Sequence, residues 1–226
     1  MQTIEIFHSI QGESSLAGLP TTFVRFARCN LRCVWCDTPY SFGKGTALSR
    51  DEIHTHIDEA GLGRVCLTGG EPLLQEELPV LCSELLSKGI EVSVETGGHM
   101  DISVLPDGVK RICDLKTPGA FSKVAKVAED RTSLLEQTEF FEPNLEAFGS
   151  LDELKIVIAS LDELPWVKCA FELLELETFA GEVHLSPVHG EVDLEALAQW
   201  MVAERIPARL HLQVHKLVFG ADATGV

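Results

Sequence analysis

Short apolar runs recur along the chain, separated by longer polar and helical stretches. Ile4 to Phe7 reads as a strand, and Thr22 to Ala27 alternates as a second. In the latter, Phe23, Arg25 and Ala27 share one face and Val24 and Phe26 the other, so both faces are expected to be buried. Arg50 to Ala60 has helical spacing, with Ser49 or Asp51 near its start. Arg64 to Thr68 is a short apolar strand, and Leu73 to Lys88 reads as a helix stopped by Gly89. Ile90 to Glu95, Val109 to Leu115, Leu154 to Ile158 and Val183 to Leu185 are further strands. Leu194 to Glu204 reads as a helix capped by Asp193, and Leu210 to Val214 as a last strand. Alternating strands and helices predict a parallel sheet with right-handed crossovers. The chain has 226 residues, and an eight-unit barrel typically takes about 250. The expected fold is α/β, an incomplete, partly open parallel β/α barrel of about six to seven strands, as one domain over residues 1–226.

Polar or glycine-containing motifs follow the strands directly: the cysteine-rich stretch after Ala27, Gly69-Gly70-Glu71, Thr96-Gly97-Gly98, Lys116 and Ser186. This places them together on the C-terminal rim, where barrel active sites lie. Gly119 to Pro143 breaks the rhythm. It has room for a helix from Arg131 to Glu139, and its expected roles are a lid, a subunit contact or a surface insertion.

Composition narrows the function. The formal charge is −17, from 35 acidic against 18 basic residues, whereas a non-specific nucleic-acid binder needs a basic surface. No apolar run is long enough to span a membrane. The N-terminus lacks a basic region followed by an apolar core, and seven cysteines without such a leader predict a reducing, cytoplasmic setting. Cys66, Cys82, Cys113 and Cys169 lie inside apolar runs and read as core residues.

The remaining three cysteines carry the chemistry. Cys29, Cys33 and Cys36 are spaced C-x3-C-x2-C, and three thiolates on one loop suit a soft metal centre. A structural zinc site takes four ligands, so zinc would need Asp37 or a distant His. A four-iron cluster also takes four thiolates; with three, one iron stays open to a small molecule. A disulfide scaffold fits poorly with an odd cysteine count. Arg25, on a strand buried on both faces, needs an anion, either a protein carboxylate or a ligand carboxylate gripped by the guanidinium fork. Gly69-Gly70-Glu71-Pro72 is either a turn opening the next helix or a place where backbone approaches a ligand.

The cysteine spacing with Trp35 resembles the cluster loop of radical S-adenosylmethionine (SAM) enzymes. A longer series resembles one family of them. Glu5-Ile6-Phe7-His8-Ser9-Ile10-Gln11-Gly12-Glu13 comes first, then Phe23-Val24-Arg25, Cys36-Asp37-Thr38-Pro39-Tyr40 and Thr68-Gly69-Gly70-Glu71-Pro72-Leu73. Glu95-Thr96-Gly97-Gly98, Asp114-Leu115-Lys116-Thr117-Pro118-Gly119, Asp152-Glu153-Leu154-Lys155, Ser186-Pro187-Val188 and Gln213-Val214-His215-Lys216 follow in order. Together they resemble the 7-carboxy-7-deazaguanine synthases, over nearly the whole chain. The resemblance implies a partial barrel of the radical SAM type, a [4Fe-4S] cluster, SAM and Mg2+. It implies conversion of 6-carboxy-5,6,7,8-tetrahydropterin to 7-carboxy-7-deazaguanine, with ring contraction and loss of ammonia, on the route to queuosine. A flavodoxin- or ferredoxin-type electron donor and a homodimer are also implied.

By matched position, Cys29, Cys33 and Cys36 would hold the cluster and Thr38 the Mg2+, with Asp37 beside it. Gln11, Gly12, Glu13, Arg25 and Thr96 would bind substrate. Gly70, Glu71, Gly98, Lys116 and Ser186 would line the SAM side. His215 and Lys216 read as structural, on the last strand. Two features depart from the family: the C-terminus carries no proline, and Gly119 to Pro143 is long. The competing readings are another small radical SAM enzyme, such as a glycyl-radical activase, and a zinc-binding interaction module. The activase would not need Gln11-Gly12-Glu13 or Thr38.

Overall fold

The computed structural model describes residues 1–226. In chain order its elements are β1 (Gln2–Ile10), β2 (Pro20–Phe26), β3 (Thr46–Ala47), α1 (Arg50–Ala60), β4 (Arg64–Gly69), α2 (Leu78–Ser87), β5 (Glu91–Thr96), β6 (Lys110–Lys116), α3 (Arg131–Leu135), α4 (Asn144–Ala147), β7 (Glu153–Ile158), α5 (Leu164–Leu173), β8 (Glu182–Pro187), α6 (Leu194–Glu204), β9 (Arg209–Leu210) and α7 (Val214–Phe219). One nine-stranded sheet has the order β3-β1-β2-β4-β5-β6-β7-β8-β9. β1 runs antiparallel to β2 and β3, and every pairing from β2 to β9 is parallel. The open parallel barrel is as expected, with β1 and β3 added as an antiparallel edge. No helix is long and apolar enough to cross a membrane.

Strand alternation divides the molecule in two. Val24, Phe26, Val65, Leu67, Val92 and Val94 point outward into one apolar layer under α1 and α2. Cys113, Leu115, Leu154, Ile156, Ile158, Val183 and Leu185 point outward into a second layer, packed by α5 and α6. The opposite parity, Phe23, Arg25, Thr68, Glu95, Asp114, Lys116, Lys155 and Ser186, faces the barrel lumen. Fully apolar outward faces supply the hydrophobic stabilisation, which leaves the inward positions free for polar chemistry. The four scattered cysteines are buried, as expected.

Three elements differ from the sequence reading. The helix expected over Leu73 to Lys88 is a 310 turn at Pro72–Leu74 followed by α2. Pro79 lies in the first turn of α2, where its missing N–H costs nothing, and a helix running unbroken through it would lose a hydrogen bond. α5 is not among the helices expected from the sequence: six of its ten residues are buried, and only Lys168 and Glu172 on its exposed side are charged. The last strand pairs only over Arg209–Leu210, and the chain then turns inward. His215 and Lys216 therefore lie on α7, against the lumen, and not on a strand.

Candidate active site

A cavity of about 530 Å³ opens at the C-terminal rim. Cys29, Cys33, Cys36, Thr38, Gln11, Gly12, Glu13, Arg25, Gly70, Glu71, Thr96, Lys116 and Ser186 all line it. Gly98 does not; its neighbour Gly97 does. Gly98 has φ +74°, and a Cβ there would stand 2.4 Å from the Asp114 carbonyl, so the turn requires glycine at this position.

The cysteine loop is braced on three sides. Val34 N–H donates to Ala120 O at 2.9 Å, so the start of the Gly119–Pro143 segment backs the loop. Arg32 donates to the carbonyls of Cys29 and Leu31. Gly70 packs so closely that a Cβ there would lie 2.1 Å from Arg28 O and 2.9 Å from Cys29 Cβ. All three thiols are free and half-exposed. All three line the same cavity. Burial pushes the Cys29 and Cys33 thiols up, partly offset at Cys29 by the Leu31 N–H and at Cys33 by Lys116. Iron would draw off those protons.

Glu71 is fully buried. Its carboxylate accepts from Leu73 N–H at 3.0 Å, Thr96 O–H at 2.8 Å and Gly97 N–H at 2.9 Å. Burial raises its pKa and these donors oppose the rise. Glu71 and Thr96 thus tie the rim loops after β4 and β5 together. His99 extends the tie, with Nε2 2.6 Å from Asn30 Oδ1 in the cysteine loop.

Deeper in the lumen lies a charge lattice. Lys155 Nζ is 2.7 Å from Glu13 Oε2 and 3.2 Å from Asp114 Oδ1, and Lys116 Nζ is 2.6 Å from Asp114 Oδ2. Gln11 donates to Glu95 Oε1 at 3.0 Å and Thr68 to Glu95 Oε2 at 3.2 Å. Burial alone would push the Glu13 carboxyl up. Lys155 overrides it, with help from Gln213 and His215, and holds it at about 2. Burial raises Glu95 despite Lys155. Glu95, Asp114 and Lys155 were not singled out from the sequence as site residues, although each sits in a motif already quoted; the signal was a charged residue at a lumen-facing strand position.

Arg25 finds the protein carboxylate that its burial demanded: Nε donates to Glu5 Oε1 at 2.8 Å. Its terminal nitrogens make no protein hydrogen bond and remain available in the cavity. Tyr40 O–H also donates to Glu5 Oε1, at 3.0 Å. Thr38 precedes a 310 turn, and its hydroxyl has one neighbour, Cys36 Sγ at 3.9 Å. The C-terminal region closes the side of the cavity. Val214 N–H donates to Gly12 O at 2.9 Å, Gln213 to Glu13 Oε1 at 2.7 Å, and Lys216 lies 3.5 Å from Asp37. Residues Ala221 to Val226 complete the lining.

A second group of possible metal ligands, Glu153, Glu182 and His184, stands at the opposite end, at the starts of β7 and β8. Lys110 lies 2.8 Å from Glu153 and Arg209 3.0 Å from Glu182. These cations already neutralise both carboxylates, and the group is remote from Thr38.

Comparisons with known proteins agree with this geometry. The family model of the Radical SAM superfamily matches residues 23–124. The chain is 37% identical to the 7-carboxy-7-deazaguanine synthase of Chlorobaculum tepidum, over 98% of this chain and 96% of the relative. It is 35% identical to that of Koribacter versatilis, over the full length of both. The crystal structure of QueE from Escherichia coli superposes with a TM-score of 0.71 at 21% identity, covering 95% and 94% of the two chains, which shows a common fold. With full-length identity at this level, the three cysteines on the rim and the open parallel barrel beneath them, the chain belongs to the 7-carboxy-7-deazaguanine synthase family of radical SAM enzymes.

Proposed function

We propose that this enzyme converts 6-carboxy-5,6,7,8-tetrahydropterin to 7-carboxy-7-deazaguanine. The observation that carries the reading is the pairing of a three-thiol rim with a lumen of carboxylates directly beneath it, Glu13 and Asp114 only 15% and 16% exposed. A pterin presents an amino group and a ring N–H side by side. That donor edge matches Glu13 and the Gln11–Glu95 pair, since an ionised carboxylate accepts only. The terminal nitrogens of Arg25 suit the substrate carboxylate. When bound, the [4Fe-4S] cluster and SAM supply the carbon radical that removes hydrogen from substrate C6.

The chain's own residues do the positioning. Cys29, Cys33 and Cys36 would hold the cluster. Gly70 backbone, Gly97, Lys116 and Ser186 line the SAM side of the cavity. Thr38 offers an uncommitted hydroxyl oxygen for Mg2+, an ion that takes few protein ligands and keeps its waters. Lys155 and Lys116 hold Glu13 and Asp114 below the usual carboxylate range and fixed before substrate arrives, so little reorganisation is needed on binding. A one-electron carrier of the flavodoxin or ferredoxin type and a homodimeric state complete the proposal.

The test is anaerobic turnover. Reconstituted enzyme, dithionite, SAM, Mg2+ and 6-carboxy-5,6,7,8-tetrahydropterin should give 7-carboxy-7-deazaguanine by mass spectrometry, without stoichiometric loss of SAM. Uncoupled 5′-deoxyadenosine alone would overturn the substrate and leave the superfamily chemistry standing.

A further inference from the structure

We propose that the Gly119–Pro143 segment is a brace for the cysteine loop, and that His99 is the positioning residue through which it acts. The inference rests on the cluster site proposed above.

No residue of the segment lines the cavity, so it is not a lid. It is ordered by its own bonds. Lys126 N–H donates to Gln137 Oε1 at 3.0 Å and Gln137 Nε2 to Lys126 O at 3.1 Å, while Asp130 caps α3 by accepting from Ser133 N–H at 2.8 Å. Leu134 and Leu135 anchor it in the apolar layer packed by α5. Both ends then reach the rim. At the start, Ala120 O accepts from Val34 N–H in the cysteine loop. At the end, Phe141 N–H donates to Gly98 O at 3.0 Å. The fully buried Asn144, just beyond, donates to Gly98 O at 3.0 Å and Met100 O at 2.9 Å and accepts from Ile102 N–H at 3.0 Å. These bonds hold the loop that carries His99 from both sides.

His99 passes the brace across to the cysteine loop. Its side chain is only 7% exposed. Burial and Lys116 draw its pKa down to about 4, so the ring is neutral and has a single N–H. Asn30 Oδ1, 2.6 Å from Nε2, accepts that hydrogen. Nδ1 is left bare, buried without a partner and 3.7 Å from Glu71 Oε2. A cation at this point would pair with Glu71; the neutral ring stands between the two rim loops and leaves the charge of that carboxylate to the cavity it lines. Asn30 lies between Cys29 and the buried Leu31, whose N–H donates to Cys29 Sγ at 3.4 Å. Groups outside the ligand shell orient the ligands, and hydrogen bonds to sulfur help to set a cluster's reduction potential. Fixing Asn30 therefore fixes both the Cys29 sulfur and the N–H that faces it.

The test compares His99→Gln, which keeps an N–H donor, with His99→Leu, which fills similar space without one. His54→Ala on α1, where His54 pairs with Glu84, is the control. Iodoacetamide labelling of the iron-free chains, read by peptide mass spectrometry, reports the loop without the cluster. Cys29 should react about tenfold faster in His99→Leu than in wild type, the size of one buried hydrogen bond left unmade. His99→Gln should stay within about threefold of wild type, and His54→Ala should match it. In anaerobically isolated holoenzyme of equal iron content, the midpoint potential should fall in His99→Leu, because a weaker N–H···S contact favours the oxidised cluster, and return in His99→Gln. Asn144→Ala, or Phe140→Ala should the former not fold, should speed Cys29 labelling in the wild-type background and add little to His99→Leu. Wild-type labelling and potential in His99→Leu, or equal changes in His99→Leu and His99→Gln, would overturn the role of His99. Additive effects of the Asn144 and His99 changes would overturn the brace. Wild type that forms no 5′-deoxyadenosine from SAM and dithionite would count against the proposed function, and the labelling of the iron-free chains would still decide the brace.

Discussion

The two ends of this barrel carry two trios of metal-ligating side chains, and they have opposite characters. Glu153, Glu182 and His184 are drawn to within 4.8 Å of one another, but their charge is spent on Lys110 and Arg209. Cys29, Cys33 and Cys36 have no partner beyond a Leu31 N–H at 3.4 Å and the Thr38 hydroxyl at 3.9 Å. Proximity of ligand atoms is therefore a poor guide to a working centre here. What marks the C-terminal end is unspent capacity: free thiols, free Arg25 nitrogens and a free Thr38 hydroxyl around one cavity.

The largest effect that sharpens this contrast is expected in the lumen. Lys155→Met leaves Glu13 and Asp114 buried without their shared cation, and breaking a buried pair typically costs about 3–5 kcal/mol. Thermal denaturation should show this loss, and turnover should vanish. Gly12→Ala comes next. A Cβ there would stand 1.8 Å from His215 Nδ1, and overpacking of this kind costs about 1–3 kcal/mol. It should raise the KM for the pterin by displacing α7, and the added change His215→Ala should recover most of the loss. A rigid-lumen account fails if the second change gives no recovery.

A pH experiment separates the same lattice from the rest of the protein. The Glu13 carboxyl is held at about 2, below its ordinary 4.5. A lowered carboxylate stabilises the fold above its unfolded pKa, and that stabilisation is lost as pH falls through the folded value. Wild-type melting temperature should therefore drop more steeply than that of Glu13→Gln between pH 4.5 and about 2. The smallest effect belongs to the far end. Arg209→Ala breaks an ion pair whose side chains are 64% and 38% exposed, so stability should change by less than about 1 kcal/mol, with turnover unaffected.

Much of this was legible in the sequence, for identifiable reasons. Parallel strands with outward apolar faces give an unmistakable repeat, and C-x3-C-x2-C cannot be mistaken for a core pattern. Arg25 announced its need for an anion through burial on a strand; in the structure Glu5 meets that need at Nε, and the terminal nitrogens stay free. The lumen lattice was harder to read, because Glu95, Asp114 and Lys155 come from three strands and only the assembled sheet brings them together. The turn from β9 into α7 was hidden for a related reason. Leu210, Leu212 and Val214 alternate like a strand, but the Val214 N–H bonds to Gly12, some 200 residues away in sequence, and no local pattern encodes that contact.

The central claim is that redox chemistry belongs to the cysteine end alone. The direct measurement is iron and acid-labile sulfide, with the visible spectrum, on anaerobically isolated wild type, Cys33→Ala and His184→Ala. The account predicts brown wild-type protein with about four irons per chain, the same in His184→Ala, and loss of both iron and colour in Cys33→Ala. Iron retained in Cys33→Ala, iron lost in His184→Ala, or colourless zinc-bearing wild type would contradict it.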